Sequence, residues 1–193
     1  KLANAYIEYD PDRANELLDG LGYTGRDGDG YRLFKDGSGD RISFVSLGGA
    51  GDAPPAELLL IDYFKAIGLE MVFRGVDRAL SIELINSNEV EMRTTIMDRN
   101  LVPLADPSIW VKTTGPAERP MFAAWSTWFV DPNSPIAERP PDGHWVWDLW
   151  DAYAELQTAV DDAAQKAAWS KIMDIWAEEL PSQGYYGDFP QPC

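Results

Sequence analysis

RISFVSLGGAGDAPPAELLLIDYFKAIGLEMVF, residues 41–73, decides the fold. RISFVSL (41–47) sets Ile42, Phe44, Val45 and Leu47 in a strand-like run. GGAGDAPP (48–55) is expected to break that strand. A helix should begin near Pro54, because Ala56, Leu60, Tyr63, Phe64 and Ile67 keep helical spacing and Gly68 supplies a stop. Glu57 and Asp62 fall on the outer side of that helix and are expected to be solvated. LEMVF (69–73) reads as the next strand. Strand, helix, strand is the signature of a sheet with parallel neighbours.

Upstream, Asp10 is a good helix cap and Pro11 suits the first helical position. Ala14, Leu17 and Leu18 form a short apolar stripe, and Gly20 and Gly22 can end the helix. Downstream, a helix is predicted over 77–87, carrying Leu80, Leu84 and Ile85, and VEMRTTIM (90–97) is a third strand candidate. Residues 98–144 differ. Pro103, Pro107, Pro116, Pro120, Pro132, Pro135, Pro140 and Pro141 argue against long regular elements. Yet the segment holds Trp110, Trp125, Trp128 and Phe129, and a long irregular aromatic segment is a candidate for function. Two helices close the chain. Val146, Leu149, Trp150, Tyr153 and Leu156 share a face of the first. Ala168, Trp169, Ile172, Met173, Trp176 and Leu180 share a face of the second, which Pro181 ends. No internal repeat is evident.

The 193 residues are 45% hydrophobic with 8 Trp, 8 Tyr and 7 Phe, enough for a core. That size suits a single domain over 1–193, or one lobe of a larger protein. Net charge is −16, with only 16 Lys plus Arg and no cationic block. Nucleic-acid backbone and anionic membrane surfaces need clustered cations, so neither is an expected partner. Cys193 is the sole cysteine, which excludes an intrachain disulfide and a cysteine-based zinc site. No apolar run is long enough to span a membrane. KLANAYIEYDP at the start does not read as a signal peptide, so an exported protein would carry its signal upstream.

Candidate chemistry is sparse. GRDGDGYRLFKDGSGD (25–40) places Asp27, Asp29 and Asp36 among glycines. Counted as a calcium loop from Asp27, it puts Tyr31 and Arg32 where an oxygen ligand and a glycine belong, and strand formers follow it. A turn before a strand is the expected reading, since Asp-Gly pairs favour tight turns. His144, the single histidine, stands at a helix start, where a surface or capping role is expected. No nucleotide loop is present. No spacing among the 32 carboxylates selects a catalytic pair. Trp125 and Trp128 are three apart. On a helix they would share a side and could be core; in a loop they would offer flat faces for stacking on a ligand. Asp98, Arg99 and Asn100 follow a strand, where open α/β sheets place ligands.

Several stretches taken together resemble family 5 extracellular solute-binding proteins, the peptide, nickel and oligosaccharide receptors of ABC importers. They are YDPDRANELLDGLGY (9–23), RDGDGYRLFKDG (26–37), PAELLLIDYFKAIGLEM (55–71), NEVEM (88–92), WSTW (125–128), the Pro140–Pro141 pair and AEELPSQGYYGDFPQP (177–192). The resemblance implies an α/β fold: one lobe of a type II periplasmic-binding-protein-like architecture, a mixed sheet flanked by helices. It implies most of a C-terminal lobe cut from a longer chain, paired in the parent with an N-terminal lobe. It implies a periplasmic or extracellular binding protein, without enzyme activity, cofactor or metal. That protein would take a peptide or oligosaccharide into an inter-lobe cleft and present it to a membrane permease. The residues it points to are Met97, Asp98, Arg99 and Asn100, with Trp110, Trp125 and Trp128 for stacking. Met97 stands where peptide-binding members carry an aromatic, and the tryptophan content looks more like the oligosaccharide-binding branch. A carbohydrate-active hydrolase using two of the acids and a calcium-dependent interaction module are the competing readings.

Overall fold

Asp10 opens the first helix, α1 (Pro11–Gly20), by accepting the Arg13 N–H at 2.8 Å. Gly22, at φ +90°, turns the chain out of it, and the Gly22 and Tyr23 N–H groups satisfy the Asp19 and Leu18 carbonyls. This description comes from a computed structural model and covers residues 5–94, 110–111 and 122–182. The chain divides into two compact units. One runs from Glu8 through the third strand; the other holds Trp110–Val111 and the helices after residue 122.

In the first unit the elements after α1 are β1 (Ser43–Gly49), α2 (Pro55–Ala66), β2 (Glu70–Val76), α3 (Arg78–Asn86) and β3 (Met92–Arg93). The sheet order is β2-β1-β3, and β1 pairs parallel with both neighbours. The strand–helix–strand reading is thus met. Its first boundary is not, because β1 runs on through Gly48 and Gly49, which pair with Gly75 and Val76. The reason is close backbone packing. A Cβ on Gly75 would lie 2.2 Å from the Gly51 carbonyl oxygen, so position 75 tolerates only glycine. The third strand is shorter than expected, with two paired residues, and positions 95–97 lie outside the described residues. Beside it the Glu91 carboxylate accepts the Val45 N–H at 2.7 Å.

Leu47, Met71, Val76 and Ile85 form the buried apolar set of this unit, and Phe44 meets Phe64 edge to face at 5.0 Å. α2 corrects one expectation. Asp62 is exposed, but Glu57 is 2% exposed, while Leu58 and Leu59 stand half out in solvent. Glu57 occupies the third helical position. There the free N–H groups and the positive end of the helix dipole stabilise a carboxylate even away from water. α1 differs as well. Leu17 is exposed and no α1 residue is buried, so polar bonds rather than an apolar stripe hold this helix.

Those bonds converge on Arg32, whose side chain is fully buried. Its Nε donates to the Ile67 carbonyl at 2.8 Å, one Nη to Asp19 at 2.5 Å and to the Tyr23 carbonyl, and the other to the Asn15 side-chain oxygen at 2.7 Å. Its backbone N–H donates to Gly68 O at 2.6 Å and its carbonyl accepts from Ile42. Gly68 sits at φ +81°, and a Cβ there would lie 2.9 Å from Arg32 Cγ and 2.3 Å from Arg26 Nη1.

In the second unit α4 (Ala123–Val130), α5 (Val146–Thr158) and α6 (Asp162–Glu179) surround one core. Val146, Leu149, Trp150, Tyr153 and Leu156 of α5 are buried, as their spacing predicts, against Ala168, Ile172 and Trp176 of α6. Asp161 caps α6 by accepting the Ala164 N–H, and Leu180, in the left-handed region, ends it ahead of Pro181. His144 plays the expected capping part: its Nδ1 accepts the Val146 N–H at 3.2 Å at the start of α5.

Replacing Arg32 with Ala leaves several part-buried acceptors without donors. It should cost about 3 kcal/mol in urea denaturation, and Arg32→Lys should recover little, since one ammonium cannot reach that fork of partners. Gly68→Ala should cost more than about 1 kcal/mol from its positive φ alone. A loss below about 1 kcal/mol for Arg32→Ala would show the hub to be dispensable.

Candidate functional site

The Asp-Gly loop is a turn whose acids have structural partners. Asp27 Oδ1 accepts the Asp29 and Tyr31 N–H groups at 2.9 and 3.0 Å, and Asp36 accepts that of Ser38 at 3.0 Å. Arg41 ion-pairs with Asp27 and Asp29 across the loop and reaches Glu70 of β2 at 3.0 Å. Its guanidinium also lies 4.8 Å from the Tyr31 ring centre. Removal from water pushes the Asp27 carboxyl up. The Tyr31 and Asp29 N–H groups and Arg41 outweigh this and hold it below the ordinary aspartate value. Hydrogen bonds that it donates to Asp29, Glu70 and Asp27 keep Arg41 above its ordinary value despite partial burial. The loop therefore clamps the entry of β1 to the start of β2.

The second unit gathers the tryptophans. Trp110 lies between Trp169 and Trp176, with ring centres 5.7 and 4.8 Å away. Its carbonyl accepts the Trp176 indole N–H at 2.8 Å. Its own Nε1 is buried and, among the described residues, has no hydrogen-bond partner. Trp125 and Trp128 are on the helix α4, so the helical alternative holds for them. Trp125 stacks on Phe122 at 4.9 Å and meets the His144 ring at 4.7 Å. Trp128 is near-perpendicular to Trp147 at 5.4 Å and near-parallel to Trp150 at 6.4 Å. All three predicted tryptophans are half-buried and pack on the unit's core. Met97, Asp98, Arg99 and Asn100 lie outside the described residues.

A groove of about 340 Å³ runs between the end of α4 and α5. Its walls are Trp128, Phe129, Trp147 and Trp150, with Asp151 and Gln157 along one side. Sequence reasoning singled out Trp128 but not Trp147 or Asp151. Their signal was available. Trp147, Asp151 and Ala154 recur at helical spacing beside the core face of α5, giving that helix a second aromatic edge. Arg139 lies 5.0 Å from the Trp147 ring centre and 6.0 Å from that of Trp128, and it pairs with Asp142 at 2.6 Å.

No family model and no curated protein matches the chain. Solved structures do. An oligopeptide-binding protein OppA superposes with TM-score 0.78 at 28% identity, over 92% of this chain and 29% of that one. MelB from Agrobacterium fabrum, a periplasmic binding protein solved with stachyose, gives TM-score 0.65 at 17% identity over 91% of this chain and 25% of that one. A periplasmic oligopeptide-binding protein from Thermotoga maritima, solved with mannohexaose, gives 0.61 at 16% identity over 93% and 31%. These neighbours are family 5 solute-binding proteins, and the chain has their α/β fold over a span matching a single lobe. It spans less than a third of the length of each of these relatives. No helix among the described residues is long and apolar enough to cross a membrane.

The Asp27 shift has a consequence for acid stability. A carboxyl held below its ordinary value adds stability that is complete above that value, 3.8. This stability fades as pH falls through the lower, folded-state value. Melting temperature should therefore drop with acidification below pH 3.8, and Asp27→Asn should make that drop shallower. An identical acid limb in the variant would show that the loop clamp does not contribute.

Proposed function

We propose that this chain is most of the C-terminal lobe of the solute-binding component of an ABC importer, working in the periplasm or outside the cell. In the parent it would face an N-terminal lobe. An oligopeptide or oligosaccharide would be captured in the cleft and handed to the membrane permease. The similarity to the OppA structure, over 92% of this chain, carries the reading. Such a receptor is a binding protein, not an enzyme. Its mechanism is a closing equilibrium, which a ligand shifts only by its differential affinity for the closed state.

Under this reading Met97, Asp98, Arg99 and Asn100 reach the cleft from the segment after β3, with Asp98 and Arg99 orienting polar groups of the solute. Trp110, Trp125 and Trp128 supply apolar faces. Of these, Trp125 leaves the least behind on truncation, because its contacts are to half-buried Phe122 and His144 at the start of α4. Trp125→Ala in the parent should weaken solute binding about tenfold while lowering stability by less than about 2 kcal/mol. A stability loss of about 4 kcal/mol with unchanged affinity would assign Trp125 to the core alone.

The parent, purified from its source and examined by native mass spectrometry before and after denaturation, tests the whole reading. A chain several times longer than these 193 residues that releases a hexose or pentose ladder supports the sugar branch. A ladder of amino-acid masses supports the peptide branch. A mature chain no longer than this one overturns the two-lobe account.

A further inference from the structure

The α4–α5 groove combines aromatic walls with one carboxylate. Its volume of about 340 Å³ is at the small end of ligand sites, enough for one compact group rather than an extended chain. Trp147 stands near-perpendicular to both Trp128 and Trp150, at 5.4 and 5.3 Å. These edge-to-face contacts hold the rings in fixed attitudes. Phe129 adds a fourth ring, 4.7 Å from Trp150. Asp151 is exposed beside them, and among the described residues the lining holds no Lys, Arg or His.

We propose that this groove binds an organic cation, a guanidinium or alkylammonium group carried by a solute. Ring faces are the negative part of an aromatic quadrupole and attract such groups, most strongly for tryptophan. Arg139 displays the same chemistry within the protein, with its guanidinium over Trp147 and Trp128. Its charge is balanced by Asp142, so Asp151 is left to balance an incoming cation. The net charge of −16 favours the approach of cations as well. A sugar fits less well. Each hydroxyl around its ring needs a partner on leaving water, and among the described residues the lining supplies only Asp151 and Gln157 as exposed polar side chains. The site rests on the receptor reading for its role as a solute subsite. Its chemistry lies within one unit of this chain and is testable without the other lobe.

Tryptophan fluorescence of this chain should be titrated with L-argininamide and with tetramethylammonium, at ionic strength held constant with sodium chloride, and with glucose as the neutral probe. The groove predicts a saturable change with both cations, on the order of millimolar, and none with glucose. Asp151→Asn, a surface change of nearly equal shape, should weaken cation binding about fivefold, and Trp147→Ala about tenfold. No saturable response to either cation overturns the proposal. So does an equal response to glucose, or an Asp151→Asn variant that binds unchanged. If Trp147→Ala does not fold, Asp151→Asn alone decides. None of these results bears on the receptor reading, which stands or falls with the length of the parent and the solute it releases.

Discussion

A single buried guanidinium organises the first unit. Arg32, itself in the Asp-Gly loop, reaches α1, the turn that follows it and the turn from α2 into β2, and its donors are met by groups from all three. Burying such a group costs several kcal/mol unless its hydrogen bonds are made. The partners are mostly carbonyls that would otherwise be unpaired at element ends, such as that of Ile67 after α2 and that of Tyr23 after α1. One side chain thus resolves two sets of open helix-end carbonyls. This is also why Gly68 must be glycine: the chain passes Arg32 Cγ too closely for a side chain, in a conformation that favours none. The residue after Gly68 leads directly into β2, so the register of the parallel ladder starts from this contact.

Arg41 extends the same logic by one layer. Its pairs with Asp27, Asp29 and Glu70 join the loop to the first residue of β2. With a two-residue third strand and few buried apolar side chains, this unit relies on polar bracing more than the 45% hydrophobic content of the whole chain suggests. The second unit is built the other way. α5 and α6 bury aliphatic and aromatic faces together, and indole N–H groups of Trp150 and Trp176 tie down the backbone at Val111 and Trp110.

What the sequence revealed follows from that contrast. Helices with a capping aspartate and an apolar stripe were legible: Asp10 with Pro11, and the α5 face from Val146 to Leu156. So was the βαβ order, because periodicity changes sharply at Gly68. The misses arose where burial is not set by hydrophobicity. Glu57 is inside because of its place at a helix start, and Leu17 is outside because α1 is held by polar bonds. Gly48 and Gly49 read as a break, yet they stay in the ladder because the backbones approach closely there. The aromatic segment was seen as important, but its two edges could not be told apart from spacing alone. Trp125 turns toward His144 and Trp128 toward α5, a division that only the placement of the proline-rich turn between α4 and α5 creates.

That division bears on how a lobe contributes to capture. A receptor that closes on its solute gains most when one wall is already rigid, because fewer side chains lose freedom on binding. Trp128 and Trp147 meet those terms. They project from helices packed on the core, beside the buried faces, and each ring is wedged by another at a steep angle. A loop-borne tryptophan of equal area would have to be ordered at the moment of binding, at a cost of about 0.5–1.5 kcal/mol for the side chain alone. The aromatic content of this unit therefore serves two ends at once. It completes a small helical core, and it leaves flat faces at fixed angles on the surface that core supports.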